Sequence, residues 1–130
     1  MKLRIHRNSL RLRLNRSDLE KFRKTGVCAE CLRFGSGSQL TYTLETSSRL
    51  TEMEALYRQD CIRVLLPLEV AQEWSGSDKV SLSLNRTDGG PFLLIEKDFQ
   101  CLHRDETSPN DNVDAFPNPL VGDQCHENKR

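Results

Sequence analysis

The order strand, short helix, strand occurs twice in this chain, over Ser9–Phe34 and again over Cys61–Leu84, and nothing else in it restricts the possible folds as much. At a constant separation of fifty-two residues, Leu10, Leu12 and Leu14 fall on Ile62, Val64 and Leu66. These are the alternate positions of a half-buried strand, so the same face is apolar in both copies. The segments that follow agree in helical spacing instead. Leu19 falls on Ala71 and Phe22 on Trp74, three residues apart and therefore on one helical face. After a slip of one residue Val27 meets Val80; at the original separation Gly37 meets Gly89, Leu40 meets Phe92 and Tyr42 meets Leu94. A recurrence that keeps register through four elements points to an internal duplication of residues 2–48 and 54–99.

Local signals fill in each copy. Lys2–His6 and Ser9–Leu14 both alternate and flank Arg7-Asn8, a pair suited to a tight turn, so they form a hairpin. Its one face carries Leu3, Ile5, Leu10, Leu12 and Leu14; the other carries Lys2, Arg4, His6, Arg11 and Arg13. Ser17 and Glu20 have the spacing of a capping box, and Gly26 follows Arg23 and Lys24 as a helix stop. Strands are expected at Val27–Phe34 and Gln39–Glu45 around a Gly-Ser turn, followed by a polar loop from Glu45 to Glu52. In the second copy Met53–Tyr57 and Cys61–Leu66 form a hairpin around Gln59-Asp60, and Pro67 opens a helix where its missing amide costs nothing. Lys79–Leu84 and Phe92–Glu96 are strands joined through Asp88-Gly89-Gly90-Pro91. Both helices are too short to stand alone, so each must lie against a sheet.

These readings give an α+β domain of antiparallel strands with two short helices, built from two related units of hairpin, helix and strand pair. The units are expected to be related by an approximate twofold axis, with a small barrel as one way for the sheet to close. A chain of 130 residues, 36% of them apolar, suffices for one modest core, placed over residues 1–102. From 103 to 130 the composition turns to Asp, Asn, Pro, Ser and Glu, a polar tail in which only Val113–Val121 carries enough apolar material to dock.

Nineteen basic side chains balance nineteen acidic ones, which argues against a globally basic nucleic-acid binder. The charge is nevertheless uneven: residues 1–33 hold ten basic and three acidic groups, a net of +7, and the remainder a net of −7. The amino terminus has no continuous apolar run and no window is long enough to span a membrane, which makes a cytoplasmic location the expectation. The five cysteines are then reduced.

Four groupings bear on chemistry. Cys28-x-x-Cys31 has the spacing of a redox dithiol, but residues three apart on a strand point to opposite faces. Glu96 and Asp98 share one strand face, where paired carboxylates can divide acid and base roles or can meet the arginines of the cationic hairpin. Cys101 and His103 are the likeliest metal ligands by type, yet Cys125 and His126, which would complete four, lie in the tail, so no metal and no cofactor is expected. The basic face, with Lys2, Arg4, His6, Arg11 and Arg13 extended by Arg7 and Arg16, could follow a phosphate backbone, but no aromatic is interleaved with it for stacking.

The stretches K-L-R-I-x-x-N-S-L-R-L-R-L at Lys2–Leu14, E-K-D-F-x-C-L at Glu96–Leu102 and D-A-F-P-N-P at Asp114–Pro119 resemble a family of uncharacterised bacterial proteins of similar length. The resemblance implies a bacterial source and supplies no activity. The expectation is therefore a non-enzymatic binding or interaction module, with Lys2, Arg4, His6, Arg11, Arg13, Glu96 and Asp98 as its ligand or partner surface and a second copy of the chain as one candidate partner. A polyanion binder using the basic hairpin is the first alternative, and a small enzyme using Glu96 to His103 the second.

Overall fold

The computed structural model describes residues 1–99 together with Phe116 and Pro117. The elements are β1 (Lys2–His6), β2 (Ser9–Leu14), α1 (Arg16–Thr25), β3 (Val27–Gly35), β4 (Ser38–Ser47), β5 (Glu54–Arg58), β6 (Cys61–Pro67), α2 (Leu68–Ser75), β7 (Ser81–Leu84) and β8 (Phe92–Lys97). Both hairpin turns adopt left-handed backbone: Arg7 has φ 52°, and Gln59 and Asp60 have φ 51° and 59°. Such turns match the right-handed twist of the strands they join, which offsets the cost of a positive φ at a residue with a side chain.

α1 begins where β2 leaves its ladder. Leu14 is the last residue of β2 paired to β8, and Asn15 caps the helix, its side chain accepting from the Asp18 N–H at 2.8 Å. Asp18 in turn accepts from the Asn15 N–H at 3.1 Å. The capping box thus lies two residues before the expected Ser17 and Glu20, because the chain turns helical as soon as it is free of the sheet. Gly26 ends the helix in the left-handed conformation, φ 79°, and donates to Phe22 O at 2.8 Å. A side chain there would also press a Cβ to 2.9 Å from Thr46 Oγ1.

The strands form two four-stranded sheets, ordered β1-β2-β8-β7 and β3-β4-β6-β5. Hairpin partners are antiparallel as expected, but β2 pairs with β8, and β4 with β6, in parallel, so both sheets are mixed. Among the described residues the sheets do not close into a barrel: β1, β7, β3 and β5 remain edges, because each inner face is already covered by the other sheet and the helices.

Exchanging the halves, β1 with β5, β2 with β6, β3 with β7 and β4 with β8, turns the order of the first sheet into that of the second read backwards. Each sheet therefore takes its hairpin from one half of the chain and its strand pair from the other. The pairing registers refine the equivalences. Ser9 lies opposite Phe92 and Cys61 opposite Thr41, so the last strands correspond at a separation of 51, not 52. Val27 faces Glu45 as Ser81 faces Glu96, so β3 and β7 correspond at 54. Val27 thus matches Ser81, not Val80, and Tyr42 matches Leu93, not Leu94. The slips follow burial, since Cys28 with Leu82, and Leu44 with Ile95, are the pairs that reach the core.

That core lies between the sheets. Leu12, Leu14, Leu44, Val64, Leu66, Leu93 and Ile95 fill it from the strands, Phe22, Ala71 and Trp74 from the helices. Each of the leucine, isoleucine, valine and phenylalanine side chains contributes roughly 1.5–3 kcal/mol on leaving water. The matched pair Phe22 and Trp74 touch edge to face, ring centroids 6.4 Å apart. Residues that exchange under a twofold operation and also touch must straddle its axis.

Candidate functional site

The seven residues expected to form a surface are brought together on the outer face of the first sheet. Lys2 lies opposite Arg13 and Arg4 opposite Arg11 across the hairpin, His6 is exposed beside Ser9, and Arg13 lies opposite Glu96 in the parallel ladder. Arg11 and Arg13 both donate through Nε to Glu96 Oε2, at 2.7 and 2.8 Å. Asp98 draws in Lys2 at 3.5 Å and Arg13 at 3.8 Å. Glu96 is only 13% exposed, so its charge is spent on two guanidinium groups of this same face. Both guanidinium groups bond the same carboxylate oxygen, so the contacts tie β8 to β2 across the outer face of the sheet.

The second sheet holds the counterpart, which the sequence reading missed. Arg63 corresponds to Arg11 and Glu45 to Glu96, and Arg63 grips Glu45 with two bonds, Nε to Oε2 at 3.0 Å and a terminal nitrogen to Oε1 at 2.8 Å. The Thr43 hydroxyl donates to the same Oε2 at 2.7 Å. The Arg63 bonds hold the Glu45 carboxyl below its ordinary value, against the opposing effect of burial. The sequence pattern ends the expected strand at Glu45, where the polar run begins, whereas β4 continues to Ser47. Sliding the internal alignment by one residue, from 52 to 51, would have put Glu45 on Glu96.

A third polar group closes one end of the core. The Met1 ammonium lies 2.8 Å from Asp18 and 3.1 Å from Glu30, and the Tyr42 hydroxyl donates to Met1 O at 3.2 Å. Burial pulls the ammonium down, but its bonds to Asp18 and Glu30 hold it above its ordinary value. Tyr42 is raised by burial and then by the nearby Glu30 and Asp18 charges. Cys28 projects into the core beside this group, its thiol pushed up chiefly by desolvation, while Cys31 is exposed on the opposite face. The two cysteines are therefore split as strand geometry requires. Cys101, His103, Cys125, His126 and most of Val113–Val121 lie outside the described residues. Among the described residues, no three histidine, cysteine, aspartate or glutamate side chains are grouped to hold a metal ion.

One concave feature joins the halves. A groove of about 410 Å³ lies between the hairpins β1–β2 and β5–β6, walled by Ile5, Leu10, Ala55, Tyr57, Ile62 and Pro91. Ile5 matches Tyr57 and Leu10 matches Ile62, so the groove straddles the same axis as the Phe22–Trp74 contact. Ile5 is 58% and Tyr57 65% exposed, unusual for large apolar side chains on one concave surface. Arg7, Asn8 and Ser9 form its polar end. The Asn8 amide is engaged by the carbonyls of Gly89 and Gly90, and the Ser9 hydroxyl by His6 O at 2.6 Å. Arg7 makes no ion pair among the described residues.

Two mixed sheets that exchange strand pairs, with charged outer faces and an apolar groove on the axis, define a small α+β protein whose halves share one plan. No helix among the described residues is long and apolar enough to cross a membrane. The chain belongs to a family of unknown function (DUF7009), whose sequence profile matches residues 1–120. Among curated proteins and among solved structures, nothing matches it.

Proposed function

We propose that the protein is a non-enzymatic binding module, and that its groove takes a small ligand with an apolar body and one anionic end. The observation that carries this reading is the exposure of Ile5 and Tyr57 on facing walls of one concavity, with Arg7 at its polar end. A bacterial, cytoplasmic setting belongs to the same reading, supported by the family resemblance of Lys2–Leu14 and by the free thiols of Cys28, Cys31 and Cys61. Polyanion binding along the outer face of the first sheet is the second reading. It is favoured by Arg4, exposed and in no ion pair among the described residues, and by Lys2, whose side chain is 77% exposed although Asp98 lies 3.5 Å from it.

Titration of isotope-labelled protein with dodecanoate, with dodecanol and with a short duplex DNA separates these readings. Groove binding moves the resonances of Ile5, Leu10, Ala55 and Ile62 with dodecanoate. Arg7→Gln then weakens dodecanoate while sparing dodecanol, and Ile5→Asp removes both. Shifts confined to Lys2, Arg4, Arg11 and Arg13, produced by DNA and suppressed by salt, would replace the first reading with the second. No shift with any of the three probes would end both.

A further inference from the structure

The four sheet edges differ in what they present to another strand. β1 carries Lys2, Arg4 and His6 on one face, so a copy laid against it brings cations together. β7 is only four residues long. β3 is long, but its Glu30 and Arg33 point to opposite faces, so no register that keeps the faces aligned lets them meet. β5 is different: Glu54 and Arg58 share the outer face, two residues either side of Leu56. Among the described residues neither is in an ion pair, and Leu56 between them is 39% exposed.

We infer that two copies of the chain associate through their β5 edges, antiparallel and centred on Leu56, joining the two second sheets into one continuous sheet. In that register Glu54 lies opposite Arg58 of the partner subunit, and Arg58 opposite the partner's Glu54, on the same face as the paired leucines. The backbone agrees with the side chains. Arg58 and Cys61 flank a two-residue turn and so form a hydrogen-bonded pair, as do Leu56 with Arg63 and Glu54 with Leu65 by alternation. The amides and carbonyls of Ala55 and Tyr57 therefore point away from β6, and an antiparallel pair centred on Leu56 needs those two residues to bond across the twofold axis. Charge, apolar exposure and hydrogen-bonding phase thus select one register, and the partner is a second copy because the edge is complementary to itself. Two five-residue strands bury little area, so the dimer is expected to be weak, with a dissociation constant roughly in the micromolar range. The inference rests on the backbone edge of β5 and not on the binding role proposed for the groove, to which the same strand contributes Ala55, Leu56 and Tyr57.

Sedimentation velocity of the full chain over a dilution series tests it. The wild type should pass from dimer to monomer on dilution. Glu54→Arg and Arg58→Glu should each weaken dimerisation about tenfold, since each puts like charges opposite one another at both symmetric positions. The combined exchange E54R/R58E should restore it, because opposite charges face each other again. Tyr57→Pro removes an outward N–H without touching the β5–β6 ladder, and should abolish the dimer while leaving the far-ultraviolet dichroism unchanged. A monomer at every concentration, or a dimer indifferent to the single reversals or not restored by the exchange, would overturn the inference.

Discussion

The aromatic contact on the axis makes the relation between the halves measurable. Trp74 is fully buried, Phe22 is 2% exposed, and their rings lie at 65° to each other. Trp74 also donates from Nε1 to Val80 O at 3.2 Å, but that carbonyl accepts the Lys97 N–H at 3.0 Å as well. Trp74→Phe therefore leaves a small cavity and a carbonyl that still has one partner, a loss of about 2 kcal/mol. Phe22→Trp adds volume to a filled site and should cost about 2 kcal/mol through displaced neighbours. The exchange variant F22W/W74F restores the summed volume at the axis. It also offers the moved indole the carbonyl of Gly26, which matches Val80 and already accepts the Thr46 N–H at 3.0 Å. The exchange should cost about 1–2 kcal/mol rather than the sum of about 4, a coupling of about 2–3 kcal/mol. Urea denaturation followed by far-ultraviolet dichroism measures all four proteins; fluorescence cannot, because the chain has one tryptophan and Trp74→Phe removes it. Additive costs, within about 0.5 kcal/mol, would show that the rings do not share one environment and would refute the argument from the axis.

The outer faces give three more expectations. Arg11→Ala with Arg13→Ala should lower stability by about 1–2 kcal/mol, a figure discounted for the partial exposure of both arginines, because it strands the mostly buried Glu96; the urea midpoint reports it. Glu45 has a folded pKa below its unfolded one, so its stabilisation is complete above the ordinary carboxylate range and is lost as the pH falls through the lower folded value. Urea midpoints between pH 7 and 3 should therefore fall less steeply at the acid end in Glu45→Gln than in the wild type. Native protein treated with iodoacetamide and mapped by mass spectrometry should be labelled at exposed Cys31 well before Cys28, whose thiol is buried and raised; equal labelling would contradict the placement of Cys28 in the core.

Much of the fold was legible because its signals are local. Leu10, Leu12 and Leu14 alternate, Phe22 and Trp74 stand at matching helical positions, and β1 and β2 begin and end where the pattern says. What the pattern does not carry is which strands become neighbours. Alternation along β2 is the same whether its partner is parallel or antiparallel, so β8 beside β2 is a property of the closed core and not of either segment. The outer-face site divides in the same way. Glu96 and Asp98 could be set against the hairpin arginines from charge and spacing alone. Arg63 with Glu45 escaped because a polar run after Glu45 reads as loop, although Ser47 is the last paired residue. The groove was illegible for a further reason: Ile5 and Tyr57 each look like the outermost apolar residue of an ordinary hairpin, and only the meeting of two hairpins makes them the walls of one cavity.

The exchange of strand pairs also sets an order of events on the ribosome. Every strand of the second sheet lies between residues 27 and 67, so that sheet can pair as soon as this segment emerges. The first sheet must wait, because Arg13 and Glu96 are 83 residues apart along the chain. At ordinary elongation rates the wait is about 4–17 s. Throughout it Leu10, Leu12 and Leu14 have no neighbouring strand but β1, and the side chains between and beside them are Arg11, Arg13, Lys2 and Arg4. These cations, of which Lys2, Arg11 and Arg13 end up paired with Glu96 and Asp98, are, until β8 is made, what repels one nascent hairpin from the next on a crowded polysome.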